Sequence, residues 1–142
     1  MGQVTYIGYG ALQAKAMAAL TAGVAHGAEY LAGQQQAAAP KDTGTLAASI
    51  HVEGPVVGGM AVTARTVTGG EASDYAIPQH EGSAPHDIHP SSAQALAWPG
   101  GAHPVRVVHH PGNPPTKYME GPLLEARPLL REFLARAARG VF

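Results

Sequence analysis

Between Gly10 and Gln36 the apolar positions Leu12, Ala16, Leu20, Val24 and Leu31 fall close to one helical face, with Ala19, Gly23 and Gly27 beside them. Steps of three and four predict one long amphipathic helix. Its stripe is thin and rich in small residues. It therefore lets another backbone come close, but buries little area of its own at ~25 cal/mol per Å², so the helix needs partners. Pro40 ends it, having no N–H to give to the turn before, and the run Gln34-Gln35-Gln36-Ala37-Ala38-Ala39 ahead of it reads as a fraying end.

After Pro40 the period changes. Leu46, Ala48, Ile50 and Val52 alternate with Thr45, Ala47, Ser49 and His51, which predicts a half-buried strand; in the competing reading Asp42 or Thr43 caps one helical turn before it. The breakers Gly54-Pro55 and Gly58-Gly59 separate this run from a second alternation, Met60, Val62 and Ala64 against Thr63 and Arg65. An antiparallel hairpin is expected there, ended by Gly69-Gly70. Tyr75 to Gly82 predicts a short ordered element. Ser83 to His103, full of Pro, Ser, Gly and His, predicts a loop, and Val105 to His109 one further short strand. Met119, Leu123, Ala126, Leu130, Phe133, Leu134 and Ala137 repeat at helical spacing, and Arg131, Arg136 and Arg139 suit the negative end of that helix dipole. Pro122 fits its first turn, while Pro128 is expected to kink it. The order implies an α+β fold: a long N-terminal helix, a small antiparallel sheet of hairpin plus further strand, and a C-terminal helix packed on the sheet. At 142 residues one hydrophobic core is expected, a single domain over 1–142 with a His/Pro/Gly-rich loop at about 83–104.

Composition narrows the partners. Charged residues are only 13% of the chain, about half the usual share, so much of the surface must be Ala, Gly, Thr, Gln and His, which suits burial against neighbours. The net charge is -1 and the nine basic residues are scattered. That pattern lacks the electrostatic footprint that grips a phosphate backbone. With no cysteine there is no disulfide, thiolate metal site or cysteine nucleophile, as fits a cytosolic product. Met1-Gly2-Gln3-Val4-Thr5-Tyr6 has neither the basic nor the apolar region of an export signal, and Tyr6 stands where a myristoylation signal has Ser or Thr. The stretch from Ala11 to Ala32 is long enough to span a bilayer, but Lys15, His26 and Glu29 make it too polar.

Histidine is the residue type that invites a catalytic reading. His80, His86, His89, His103, His109 and His110 lie within one third of the chain, with Glu81 and Asp87 between, and His80, His86 and His89 are the candidates for a metal site. Against it, Pro85, Pro90, Pro104 and Pro111 preclude the helical His-x-x-x-His pairing of metalloproteases, and no fixed ligand spacing appears. Loop-packing or solvent-facing histidines are the plainer reading. Asp42-Thr43-Gly44 matches the aspartic-protease triplet, but that chemistry needs two carboxylates sharing a proton, and a second triplet is missing. A turn or cap for Asp42 and Thr43, with positive φ or close packing at Gly44, explains these residues better. Glu81 has no nucleophile beside it in sequence for a general-base role and reads as a carboxylate available to a neighbouring subunit. Neither a nucleophile elbow nor a phosphate-binding loop occurs. Trp98 and the run Val105 to Val108 read as core or interface. No catalytic residue and no cofactor is expected; the rival to a structural role is a His-rich metal-binding protein or metallohydrolase.

Pro40-Lys41-Asp42-Thr43-Gly44-Thr45-Leu46-Ala47-Ala48-Ser49-Ile50, following a long helix, resembles the Pro-x-Asp-Thr-Gly-x-Leu-x-x-Ser-Ile signature of the small head-to-tail joining, or tail-completion (neck), proteins of long-tailed bacteriophages and prophages. In the same order, Tyr75-Ala76 to His80-Glu81-Gly82 is similar to that family's Tyr-Ala to Glu and Gly segment, although Ser83 stands where Thr is usual. Ile88-His89-Pro90, Ala95-Leu96-Ala97-Trp98, His110-Pro111-Gly112 and Pro115 are similar to the closing region of its longer members. Before the last helix Tyr118-Met119-Glu120 replaces the usual aromatic and Arg. The resemblance rests on the order of these matches, from roughly 11 to 137.

It implies a non-catalytic ring subunit near the portal, made in the host cytoplasm and placed in the virion neck or tail. As stopper, terminator or completion protein it would join the DNA-filled head to the tail and let DNA pass as non-specific cargo. The implied partners are further copies of itself, six by analogy, and neighbouring neck, portal-adaptor and tail-tube proteins, with no membrane. The implied structural or interface residues are Pro40, Asp42, Thr43, Gly44, Leu46, Ser49, Ile50, Tyr75, Glu81, Gly82, Trp98, His110, Pro111, Gly112 and Pro115. Low charge suits such a ring, because a strongly basic lumen would hold the genome by counterion release.

Overall fold

The computed structural model describes residues 8–101 and 103–141; the expectation made for Met1 to Tyr6 lies outside the described residues. In chain order the elements are α1 (Tyr9–Ala38), α2 (Thr45–Ser49), β1 (His51–Gly58), β2 (Ala61–Val67), a 3-10 turn (Gly70–Ala72), α3 (Ser73–Glu81), β3 (His86–Ile88), β4 (Val108–His110) and α4 (Glu120–Arg139). The α+β class read from the hydrophobic pattern is the class observed, with the long first helix, the hairpin and the closing helix in place. Contacts divide the chain into two compact units: the chain up to Asp74 together with the chain from Tyr118 onward, and Tyr75–Lys117.

In the first unit α1 and α4 run antiparallel. Lys15 Nζ donates to the Val141 carbonyl at one end (3.1 Å), and Gln35 Nε2 donates to the Met119 carbonyl at the other (2.9 Å). Small residues set the closeness of the pair. A Cβ on Gly23 would stand 3.0 Å from the Ala137 Cβ, and one on Gly27 would stand 3.2 Å from Leu130 Cδ2. These two glycines, four residues apart, leave a trough into which α4 settles. Phe133 meets His26 and Tyr30 edge-on across the seam, with ring centroids 4.4 and 5.7 Å away, an arrangement favoured by aromatic quadrupoles. The C-terminal helix therefore packs on α1 and not on the sheet as expected, because the Gly/Ala face of α1 admits a helix closely while the hairpin takes another side of α1. Pro122 lies in the first turn of α4, where its missing N–H has no helical partner anyway, and the helix runs on through Pro128.

β1 and β2 form the hairpin, with His51 opposite Val67 and Gly58 opposite Ala61. Gly54-Pro55, expected to end the first strand, lies inside it. The pair, joined by a cis peptide, sits in a bulge between the Glu53–Arg65 and Val56–Thr63 pairings. A bulge asks no ladder hydrogen bond of a proline, so the strand continues past it. Leu46 to Ile50, expected as strand, is instead the helical turn α2 and its C-cap. Leu46 and Ile50 are four apart and both buried, while Ala48 between them is exposed. Positions 46, 48 and 50 alternate, yet 46 and 50 also share one helical face, and alanines between them fit either period. Gln34 to Ala38, expected to fray, is helical because Gln35 is 2% exposed beneath α4 and Gln36 Nε2 donates to the Ile50 carbonyl (2.8 Å). The core of this unit, Leu31, Ala32, Ala39, Leu46, Ile50, Ala72, Tyr118, Ala126 and Val141, is rich in alanine.

In the second unit β3 and β4 pair antiparallel, His86 opposite His110, Asp87 opposite His109 and Ile88 opposite Val108. Isolated bridges join Ser83 to Asn113 and Leu96 to Val105. The further strand thus begins at Val108, not Val105, and pairs with a segment expected to be loop. It makes a ribbon of its own and adds no third strand to the hairpin. Strands of three residues between prolines are too short to carry a readable period.

Candidate functional site

The first motif sits at the junction of α1 and the hairpin. Pro40 follows the helix end, where the Ala39 N–H still donates to the Gln35 carbonyl (2.9 Å). Asp42 is exposed, Thr43 Oγ1 lies 2.8 Å from Thr45 Oγ1, and Gly44 takes φ 81° at the start of α2. Of the two roles read for Gly44, positive φ or close packing, the structure has the first, and a Cβ there would meet nothing within 4 Å. Leu46 and Ile50 are 3% and 1% exposed, and Ser49 Oγ donates to the Leu46 carbonyl (2.8 Å). These residues hold a corner of the chain, and Asp42 stands on a solvent-facing turn.

The second and third motifs meet inside the second unit. The carbonyls of Gln79 and His80 at the end of α3 accept from the N–H groups of Thr116 and Lys117 (3.2 and 3.1 Å). Glu81 accepts from Lys117 Nζ and lies 2.8 Å from His80 Nδ1. The Lys117 ammonium first, then His80, holds the Glu81 carboxyl below the usual glutamate range. Gly82 and Gly112 both have φ near 80° and face the opposite strand. A Cβ on Gly82 would stand 2.6 Å from the Asn113 carbonyl oxygen and 2.8 Å from Pro115 N, and one on Gly112 would overlap the Ser83 carbonyl oxygen. Between them Ser83 and Asn113 exchange backbone hydrogen bonds of 2.9 and 3.0 Å. The residues from Glu81 to Gly82 and from Gly112 to Pro115, thirty positions apart in sequence, form one interlocked crossing. Tyr75 is 37% exposed and Ala76 is buried. Pro111 is exposed. Trp98 is half exposed and lies against Gly101, whose N–H donates to the Trp98 carbonyl (3.0 Å).

The histidines are distributed along this crossing and do not converge. His80 pairs with Glu81 on α3, and His109 pairs with Asp87 across the ribbon. On its other face His86 stacks on His110 with ring centroids 5.0 Å apart. His86 Nδ1 lies 2.9 Å from the Ala84 carbonyl oxygen and so carries the proton, whereas His110 Nδ1 accepts from the Gly112 N–H (3.1 Å) and so does not. A metal on the His110 Nε2 would require that ring to move its proton to Nδ1 and break the turn. His89 is exposed beyond β3. Among the described residues no three His, Asp or Glu side chains are placed to hold one metal ion, the candidates His80, His86 and His89 included.

One feature of the first unit escapes the motifs. An open apolar groove of about 240 Å³ has its floor on α1 at Val24 and Leu31, one wall on β2 at Ala64 and Thr66, and the other on α4 at Leu130 and Leu134. Val24, Leu31, Leu130 and Leu134 were legible as helix stripes, but that they line a space left open depends on how far apart β2 and α4 sit, which no spacing encodes. Among the described residues no helix is long and apolar enough to cross a membrane. Compared with protein families, with curated proteins and with solved structures, the chain matches none of them.

Proposed function

We propose that this chain is a structural subunit of the phage head-to-tail interface, a neck or tail-completion ring component that joins the DNA-filled head to the tail and lets DNA pass. The observation that carries the reading is where the apolar side chains lie. Alanine supplies much of the buried core, while Val56, Val57, Met60, Leu123, Leu124 and Leu134 are each between 37% and 79% exposed. A chain built in this way completes its burial against neighbours, as a ring subunit does. The motif residues support the same role. Asp42 lies on a turn, Glu81 at the crossing, and His80, His86, His109 and His110 in paired contacts within the chain, which gives these side chains structural positions.

Light scattering and native mass spectrometry across concentration test this, with tail-tube and portal-adaptor proteins of the same phage added in a second series. A discrete multimer, six copies by family analogy, is expected, either alone or on addition of those partners. A monomer at every concentration, unchanged by either partner, overturns the reading.

A further inference from the structure

The groove on the first unit and the end of its own hairpin are matched in chemistry. Val24, Leu31, Leu130 and Leu134 give the groove an apolar lining, and none of the residues around it carries a charge. Its volume of about 240 Å³ exceeds the ~150 Å³ of an apolar cavity that accepts a benzene ring, so it has room for aliphatic side chains that the chain does not itself supply. The hairpin end, from Gly54 to Thr63, is also free of charge over its whole length. Val56, Val57 and Met60 on it are 63%, 55% and 79% exposed. The nearest charges on the hairpin, Glu53 and Arg65, pair with each other at 2.7 Å and make no demand on a partner. A charged or strongly polar occupant would lose hydration in this groove without compensation. The valine and methionine side chains of a neutral hairpin carry no such cost.

We infer that the end of the β1–β2 hairpin of one copy seats in the α1, β2 and α4 groove of a second copy. The inference rests on the ring reading above and names the contact that would build it. Giver and receiver are different surfaces of the same chain, so each copy can donate to one neighbour and accept from another, and such contacts close into a ring when the rotation per copy closes. Three side chains fall short of the ~800 Å² per partner that a standard interface buries. A lone pair is therefore weak, and closure, which gives every copy two such contacts, stabilises the assembly.

The absence of cysteine from the chain makes the test clean. Copies carrying Met60→Cys are mixed with copies carrying Ala28→Cys, a groove residue, and treated with a short bismaleimide. A covalent species of twice the chain mass is expected from the mixture and from neither variant alone. In parallel, Val57→Asp with Met60→Asp is followed by light scattering, with circular dichroism confirming the fold; both positions are exposed, so the fold is expected to persist while association weakens by ~tenfold or more. A multimer that survives the double aspartate variant and gives no mixed cross-link overturns this contact and leaves the ring reading standing. A mixed cross-link in an assembly that never exceeds a dimer supports the contact and overturns the ring. A monomer that gives no cross-link, with or without the tail-tube and portal-adaptor proteins added, overturns both.

Discussion

A methyl group added at Gly112 has nowhere to go. The residue holds φ 80°, which costs about 1–3 kcal/mol for a residue with a side chain, and its Cβ would overlap the Ser83 carbonyl oxygen. Gly112→Ala is expected to open the Ser83–Asn113 bridge, seen as loss of hydrogen-exchange protection at those two amides while α1 and α4 keep theirs; protection unchanged at Asn113 would contradict the crossing. Glu81 makes a pH prediction at the same place. Its carboxyl is held below the ordinary range by Lys117 and His80, so its contribution to the crossing is fully present above the unfolded-state value near 4.5 and is lost as pH falls through the lower folded value. Protection of the second unit is expected to fall in that acid window in the wild type, and Glu81→Gln is expected to remove that part of the pH dependence. The effect is small, because Glu81 is exposed and water screens the pair.

At the scale of elements, the glycines of α1 divide by what faces them. Gly23 and Gly27 lie under α4, whereas a Cβ on Gly33 meets nothing within 4 Å. Gly33→Ala is expected to stabilise the fold by about 0.5–1 kcal/mol through helix propensity. Gly27→Leu is expected to destabilise it by about 1–3 kcal/mol by forcing α4 away from its seat. Denaturant midpoints for the two variants should move in opposite directions. Helix α1 was legible in the sequence because thirty residues repeat one period, and α4 because its leucines and Phe133 do the same. The hairpin was legible from two alternating runs around Gly58-Gly59. Helix α2 was legible only as the competing helical turn, since Leu46 and Ile50 with alanines between satisfy strand and helix periods at once, and its N-cap is Gly44 and not Asp42 or Thr43. Strand β3 was not legible, since His86 to Ile88 is three residues with no apolar alternation. Of the candidate site, positive φ at Gly44 was one of the two roles the sequence offered for it, but the meeting of Glu81 and Gly82 with Gly112 and Pro115 was out of reach. It depends on a long-range crossing held by backbone hydrogen bonds, and such bonds leave no side-chain pattern.

For the molecule as a whole, a core rich in alanine stabilises a single copy little, and on the proposed ring reading association would add what the core lacks. Anything that binds the folded state alone raises the apparent stability by mass action, so the thermal midpoint is expected to rise with protein concentration. Differential scanning across a hundredfold range checks this, and a flat midpoint would argue for a self-sufficient monomer. Because the chain entering the second unit is hydrogen-bonded to the chain leaving it, Gln79 and His80 to Thr116 and Lys117, the thirty-odd residues between are closed off like a cassette with its own clasp. The segment inside the clasp can then be lengthened, trimmed or exchanged without retuning the packing of α1 against α4.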